Sequence, residues 1–172
     1  MTTITTPPPT YERARLAVPS PIGELVLEGN DDALSRVVLP GSARASTVAS
    51  ADDDLAAAPH ALADAARQLA EYFAGERTTF ELTLHTTGTP FQREVWTALV
   101  EIPYGETISY AELAATVERP HAFRAVGSAN GANPIAIVIP CHRVITTGRG
   151  LGGYAGGLDA KRTLLALEGV TL

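Results

Sequence analysis

Apolar positions in this chain alternate between strand-like and helix-like spacing, and each switch marks a new element. Three short apolar runs come first, Ala14 to Val18, Glu24 to Glu28 and Leu34 to Leu39, separated by Ser20-Pro21-Ile22-Gly23 and Asn30-Asp31-Asp32. Turn residues between such runs predict a small antiparallel meander. From about Pro59 to Ala74 the spacing becomes helical: Leu62, Ala66, Leu69 and Phe73 fall on one face and Gly75 ends the pattern. Phe80 to Leu84 alternates again and predicts a strand. The first ten residues, rich in Thr and Pro, read as a disordered tail. Gly41 to Ala58, rich in Ala, Ser and Asp without a period, reads as a flexible loop. Residues 11–87 are thus expected to form an N-terminal α+β domain.

Residues 88–172 are patterned differently and predict a mostly helical second domain. Thr89-Pro90 gives an N-cap followed by proline at the first helical position. Phe91, Val95 and Leu99 then supply the buried stripe of a helix ending near Glu101. Ser109 and Glu112 match a capping box for a short helix carrying Leu113, broken by Pro120. Ala122 to Ala132, rich in small residues and stopped by Asn133-Pro134, predicts the next helix. Two short helices with a tight break between them resemble a helix-turn-helix, whose second helix can enter a DNA groove. The apolar run Pro134 to Ile139 reads as a buried strand. A glycine-rich loop from Gly148 to Gly157 leads to a last helix, Asp159 to Leu167.

Composition narrows the function classes. The 172 residues are 45% hydrophobic and 19% charged, ordinary for a globular chain. No apolar run reaches membrane-span length, and the N-terminus lacks the basic and apolar regions of a signal peptide. The net charge of −6 argues against a general nucleic-acid binder. It is unevenly distributed, however. Residues 1–87 hold 6 basic and 12 acidic side chains, residues 88–172 hold 7 of each. The acidity lies wholly in the first half, so the second half is free to present a local basic face. DNA binding, where it occurs, should be modest and salt-sensitive.

The chain has a single cysteine, Cys141, in Ile139-Pro140-Cys141-His142-Arg143-Val144. One cysteine cannot close an intramolecular disulfide, which favours a reducing cytoplasm. One Cys and four scattered His give no zinc spacing, so no metal is expected. A thiol becomes a good nucleophile only as thiolate, and Cys141 therefore needs a base or a positive charge nearby. His142 is adjacent, but neighbours on a strand point to opposite sides, so a bridging water is one route between them. The base in turn wants a carboxylate, for which Glu168 is a candidate. Taken alone, a Cys-His pair is more often inert than catalytic.

The wider sequence adds a resemblance. Pro140-Cys141-His142-Arg143-Val144 resembles the active-site signature of the O6-alkylguanine-DNA alkyltransferases. Ile102-Pro103-Tyr104-Gly105-Glu106-Thr107 with Ser109-Tyr110, then Arg124-Ala125-Val126-Gly127, Asn133-Pro134, and Gly153-Tyr154 with Gly156-Gly157-Leu158 are similar to that family in order and spacing. Ser20-Pro21-Ile22-Gly23 resembles its N-terminal hairpin. The resemblance implies a ribonuclease H-like N-terminal domain and a C-terminal DNA-binding helix-turn-helix. It implies a flipped nucleotide, and irreversible transfer of its alkyl group from O6-alkylguanine, with O4-methylthymine a second substrate, to Cys141. In that picture Arg124 fills the vacated place in the base stack, with Ala122 and Ser128 among the small residues beside it. Cys141, a water, His142 and Glu168 form the proton relay. Tyr110 lines the DNA side and protonates the leaving guanine at N3, and Asn133 holds the turn before the active-site segment. Val144 and Cys141 offer carbonyls to the guanine amino group, and the loop at Tyr154 and Ala155 closes the pocket. Many relatives have serine where this chain has Ala155; alanine keeps the main-chain N–H and lacks the hydroxyl. Arg143 is expected to be structural, bonding across the domain boundary. No cofactor is implied. The partner is double-stranded DNA carrying the lesion, with no membrane; the chain is expected to be a monomer in solution, and cooperative assembly on DNA stays open. Two rival classes remain: a non-catalytic binder of alkylated DNA, in which relatives replace the cysteine, and a cysteine hydrolase that turns over repeatedly.

Overall fold

In the computed structural model the chain folds as two compact units, Met1–Thr87 and Gly88–Leu172. The described residues are 1–6, 13–43, 45 and 54–172.

The first unit contains strands β1 (Thr3–Thr5), β2 (Ala14–Val18), β3 (Leu25–Gly29), β4 (Leu34–Val38) and β5 (Thr83–His85), and helix α1 (His60–Phe73). The expected meander is present as β2, β3 and β4, antiparallel, with Leu16 opposite Leu27 and Val26 opposite Val38. It is part of a larger mixed sheet in the order β1-β5-β4-β3-β2, in which β5 runs parallel to both its neighbours. β1 corrects the expectation of a disordered tail. Thr3, Ile4 and Thr5 pair with Thr83, Leu84 and His85, and the Thr2 and Thr5 hydroxyls donate to Phe80 O and Leu84 O. The tail's residues 7–10 lie outside the described residues, as do 44 and 46–53 of the expected loop.

Helix α1 buries Leu62, Ala65, Ala66, Leu69 and Tyr72 over the sheet. Each fully buried leucine contributes about 2 kcal/mol of transfer free energy. Phe73, expected on this face, is only half-buried. Tyr72 takes the interior place, with ring centroids 5.3 Å from Phe73 and 5.5 Å from Phe80. The buried Gln68 amide bonds Glu81 in both senses, accepting its N–H at 2.8 Å and donating to its carbonyl at 3.0 Å. One side chain thereby satisfies two inward main-chain groups next to β5.

The second unit is helical: α2 (Pro90–Val100), β6 (Ile108–Ser109), α3 (Tyr110–Thr116), α4 (Phe123–Gly131), a 3-10 turn at Cys141–Arg143, β7 (Val144–Ile145) and α5 (Leu158–Leu167). Both helix starts are fixed by reciprocal capping boxes. Thr89 and Gln92 satisfy each other's main-chain N–H at the head of α2, and Ser109 and Glu112 do so at the head of α3. Val95, Trp96 and Leu99 form the buried stripe of α2, and the Trp96 indole N–H donates to Ala129 O of α4 at 2.9 Å. Phe91, expected in that stripe, is half-buried, with the Arg119 guanidinium 5.2 Å from its ring centroid.

The apolar run before Cys141 is not the buried strand its composition predicts. Ile135, Ala136 and Ile139 make only isolated bridges, and the chain turns at Ile137, a buried β-branched residue held at φ 74°. Asn133 causes the turn. Its Oδ1 accepts from Ile135 N–H at 3.0 Å and its Nδ2 donates to Ile139 O at 2.8 Å, drawing both ends of the run to one side chain. Pro134 and Pro140 at the two ends have no N–H for a sheet ladder.

Candidate active site and nucleic-acid interface

Two strands of two residues each assemble the site. β6 pairs in parallel with β7, Ile108 opposite Val144 and Ser109 opposite Ile145. Tyr110 follows β6 directly, and the Cys141–Arg143 turn precedes β7 directly. A short ladder thus brings the start of α3 to the cysteine turn across more than thirty residues of chain.

Cys141 is 6% exposed and is the only cysteine. Burial pushes its thiol above the ordinary range, while a hydrogen bond from Asn133, the charge of Lys161 and main-chain N–H groups pull it back. His142 is wholly buried, and its Nε2 lies 2.8 Å from Glu168 Oε1. Arg143 clamps the same carboxylate with Nε to Oε2 at 2.8 Å and Nη2 to Oε1 at 2.9 Å, and its Nη1 donates to Ile102 O at 2.6 Å. These bonds lie inside the second unit and make Arg143 the partner of Glu168. Gly105 N–H adds a fourth donor to Glu168 at 3.2 Å, from a glycine at φ 79° whose Cβ would stand 3.0 Å from Glu168 O. A carboxylate gripped by a guanidinium is ionised and can only accept. Nε2 of His142 must therefore carry the proton in their shared bond. Nδ1 is then the acceptor, buried and without a hydrogen-bond partner among the described residues. Burial is the larger influence on this imidazole and pushes it down, against the pull of Glu168, whose charge Arg143 already matches. The ring is neutral near pH 7, with one free lone pair.

Tyr110 stands between the helix-turn-helix and the glycine-rich loop. Its ring lies 3.7 Å from where a Cβ on Gly127 of α4 would be, and its hydroxyl 2.9 Å from where one on Gly152 would be. Gly152 has φ 66°, so the close approach and the backbone both call for glycine there. Burial pushes the Tyr110 hydroxyl up, and the Gly153 main chain pulls it down by hydrogen bonding. A phenol that accepts from the backbone keeps its own proton to give.

Helix α4 presents Phe123, Arg124, Ala125 and Ser128 to solvent, with Ala122 partly exposed at its start, and buries Val126 and Ala129. The small exposed side chains allow close approach of another backbone, and Arg124 projects beyond them. Asn130, on the inner side, donates to Cys141 O at 3.5 Å. Val144 is buried, and its carbonyl accepts from Lys161. Tyr154 is half-buried, its carbonyl accepting from Gly157 N–H, and Ala155 is exposed. Cys141, His142, Asn133, Glu168, Val144 and Tyr110 thus form one neighbourhood, Arg124, Ala122 and Ser128 one helix face, and Tyr154 and Ala155 sit on the neighbouring loop. A cavity of about 650 Å³ lined by Arg149, Leu151, Gly152, Leu158, Arg162 and Leu165 adjoins that loop. Neither Cys141 nor His142 lines it, so it is not the space beside the sulfur. Among the described residues no cluster of His, Cys, Asp or Glu forms a metal site, and no helix is long and apolar enough to cross a membrane.

Lys161 escaped the sequence reading, as did the role of Arg143. The signal for Lys161 was in the composition: it is the only lysine, against twelve arginines.

Comparison with known proteins agrees with this geometry. Residues 90–170 match the 6-O-methylguanine DNA methyltransferase DNA-binding domain, and residues 15–86 match the ribonuclease-like domain of the same proteins. A methylated-DNA--protein-cysteine methyltransferase of Mycolicibacterium paratuberculosis is 52% identical over 151 residues, covering 88% of this chain and 89% of the relative. The constitutive enzyme of that name from Bacillus subtilis is 44% identical over 153 residues, covering 88% and 93%. The crystal structure of Mycobacterium tuberculosis OGT in complex with DNA superposes with a TM-score of 0.80 at 46% identity, over 90% of this chain and 92% of that one. A helix-turn-helix beside a buried, histidine-flanked thiol defines a DNA-directed group-transfer protein. The chain belongs to the 6-O-methylguanine DNA methyltransferase family.

Proposed function

We propose that this chain repairs DNA by direct reversal, moving the alkyl group of O6-alkylguanine irreversibly to its own Cys141. The observation that carries the reading is the tautomer-fixed His142. With Nε2–H committed to Glu168, the Nδ1 lone pair is the base available in the residue next to the chain's only cysteine. A bridging water, as the family resemblance implies, passes the thiol proton to Nδ1, and Glu168 stabilises the imidazolium. The sulfur attacks the alkyl carbon, the C–O6 bond electrons leave with the guanine, and Tyr110 supplies the proton that N3 requires. The exposed face of α4 supports a DNA contact, with Arg124 standing in for the flipped nucleotide and Ala122 and Ser128 against the backbone. Asn133 supports the turn that presents Cys141. By the family resemblance the carbonyls of Cys141 and Val144 serve the guanine amino group, Cys141 O while also accepting from Val144 N–H and Asn130 and Val144 O while also accepting from Lys161, and Tyr154 and Ala155 close the loop side.

A thioether has no hydrolytic exit, so each molecule acts once. A reducing cytoplasm is the compartment that keeps this thiol available. With a molar excess of O6-methylguanine duplex, repaired guanine should rise to one equivalent of protein and stop. A progress curve that continues past one equivalent would favour a hydrolase. Tight lesion binding with no repaired guanine would favour the non-catalytic binder.

A further inference from the structure

The one lysine of this chain is wholly buried, although each of its twelve other basic residues is an arginine. Fully buried lysines are rare unless paired with a carboxylate. Among the described residues Lys161 forms no such pair; its ammonium donates to two main-chain carbonyls, Val144 O at 2.6 Å and Leu151 O. Those carbonyls belong to the residue that closes the reactive turn and to the start of the glycine-rich loop. Val144 follows Cys141–Arg143 directly, and Leu151 opens onto Gly152 and Gly153, which meet the Tyr110 hydroxyl. Helix α5, which carries Lys161, packs against the cysteine turn itself.

Holding two carbonyls does not call for lysine. The arginine fork used at every other basic position has more donors in fixed geometry, whereas an ammonium is a compact point charge. The charge is therefore the informative part. In the buried cluster the Glu168 carboxylate is matched by Arg143, and His142 is neutral, which leaves Lys161 as a surplus cation. The ionisable groups that feel it are Cys141 and His142. The cluster reaches neutrality when Cys141 becomes a thiolate.

We propose that Lys161 is a positioning residue for the transfer: its ammonium ties the segment that leaves the Cys141 turn to the start of the glycine-rich loop and is the built-in counter-charge for the thiolate. The significance for repair rests on the alkyl-transfer reading above; the effect on the sulfur does not. During transfer Lys161 neither gives nor takes a proton. The thiol proton goes to His142, the sulfur's electron pair forms the S–C bond, and the C–O6 pair leaves with the guanine. The thioether that results is neutral, and Lys161 then loses its partner.

A single lysine makes the test clean. Lysine-selective isotope labelling gives one ammonium signal by NMR, in a group that burial pushes down to about 8. Titrating the full chain before and after Cys141 is capped with iodoacetamide should show the ammonium losing its proton about one pH unit lower in the capped protein. Identical titrations overturn the proposal. In a second arm, Lys161→Met should shift the pH midpoint of iodoacetamide reaction, read by intact mass, to higher pH and slow it about tenfold at pH 7. Propylamine added to Lys161→Ala should restore part of the rate. A folded Lys161→Met with the wild-type profile overturns the proposal, and where that variant does not fold, the titration of the native chain decides. Neither arm uses DNA, so a chain that passes both yet takes no methyl from duplex DNA refutes the repair reading and leaves the role of Lys161 standing.

Discussion

Glu28 in the first unit and Glu168 in the second are almost equally buried, at 3% and 5% exposure, and each is held by more than one basic side chain. Glu28 accepts from Arg15 Nε at 3.0 Å and Arg36 Nη1 at 2.9 Å across the antiparallel strands. Those arginine side chains are 39% and 29% exposed. Their charge stays in contact with water, so the pairs act through a high effective dielectric and are individually weak. Around Glu168 the partners are interior: His142 at 0% and Arg143 at 7% exposure. There each lone pair has an assigned donor, and the assignment fixes the tautomer of the His142 ring. One cluster lies at the surface of a sheet, while the other orients an imidazole. The difference teaches that a buried carboxylate becomes informative about chemistry when its partners are buried with it and one neighbouring polar atom is left over, as His142 Nδ1 is.

The sharpest way to break this contrast is to remove each carboxylate. Glu168→Ala leaves Arg143 buried without its partner and should cost about 3–5 kcal/mol in chemical denaturation, with methyl transfer lost alongside. If Glu168→Ala is no less stable than wild type, the interior cluster does not hold the second unit together. Tyr110→Phe comes next. It keeps the ring against Gly127 and deletes only the hydroxyl, so single-turnover transfer should slow by at least about a hundredfold. Stability should change by about 1 kcal/mol or less.

A smaller effect follows from His142. Its folded-state proton affinity is depressed, so the unfolded chain takes up a proton near pH ~6.5 that the folded chain refuses. That stability is fully present above pH ~6.5 and is lost as pH falls below it, toward the folded-state value. Thermal melts should therefore fall as pH drops below about 6.5, and His142→Gln should flatten that slope. A slope unchanged in His142→Gln would mean the imidazole is not buried as a neutral ring. The smallest effect belongs to the other side of the comparison. Glu28→Gln should cost about 1 kcal/mol or less, because Arg15 and Arg36 can turn to solvent, and the single-turnover rate should stay at the wild-type value.

What was readable without coordinates follows the range of the forces involved. The heads of α2 and α3 were legible because a capping box is local, four residues satisfying each other. The motifs around Tyr110, Arg124, Asn133 and Cys141 were legible as a series, while the bond between His142 and Glu168 could be nominated only by charge type. β1 was missed because its three residues gain order from strand β5, some eighty positions away, and nothing in Thr3-Ile4-Thr5 reveals that partner. β6 and β7 are too short to show a period. The run Pro134 to Ile139 misled for a physical reason: six apolar residues look like a strand, and the turn inside them is set by the Asn133 side chain. Lys161 was visible as a compositional oddity, but its burial and its two carbonyls are tertiary facts.

The central claim is that Cys141 is a reagent consumed once. The most direct measurement is the mass of the intact chain after incubation with duplex DNA holding one O6-methylguanine, followed by peptide mapping of any added group. The account predicts a gain of one methyl group, located on Cys141, matched mole for mole by restored guanine, with Cys141→Ala unmodified. Restored guanine with an unmodified chain, or a methyl group on any other residue, would contradict it.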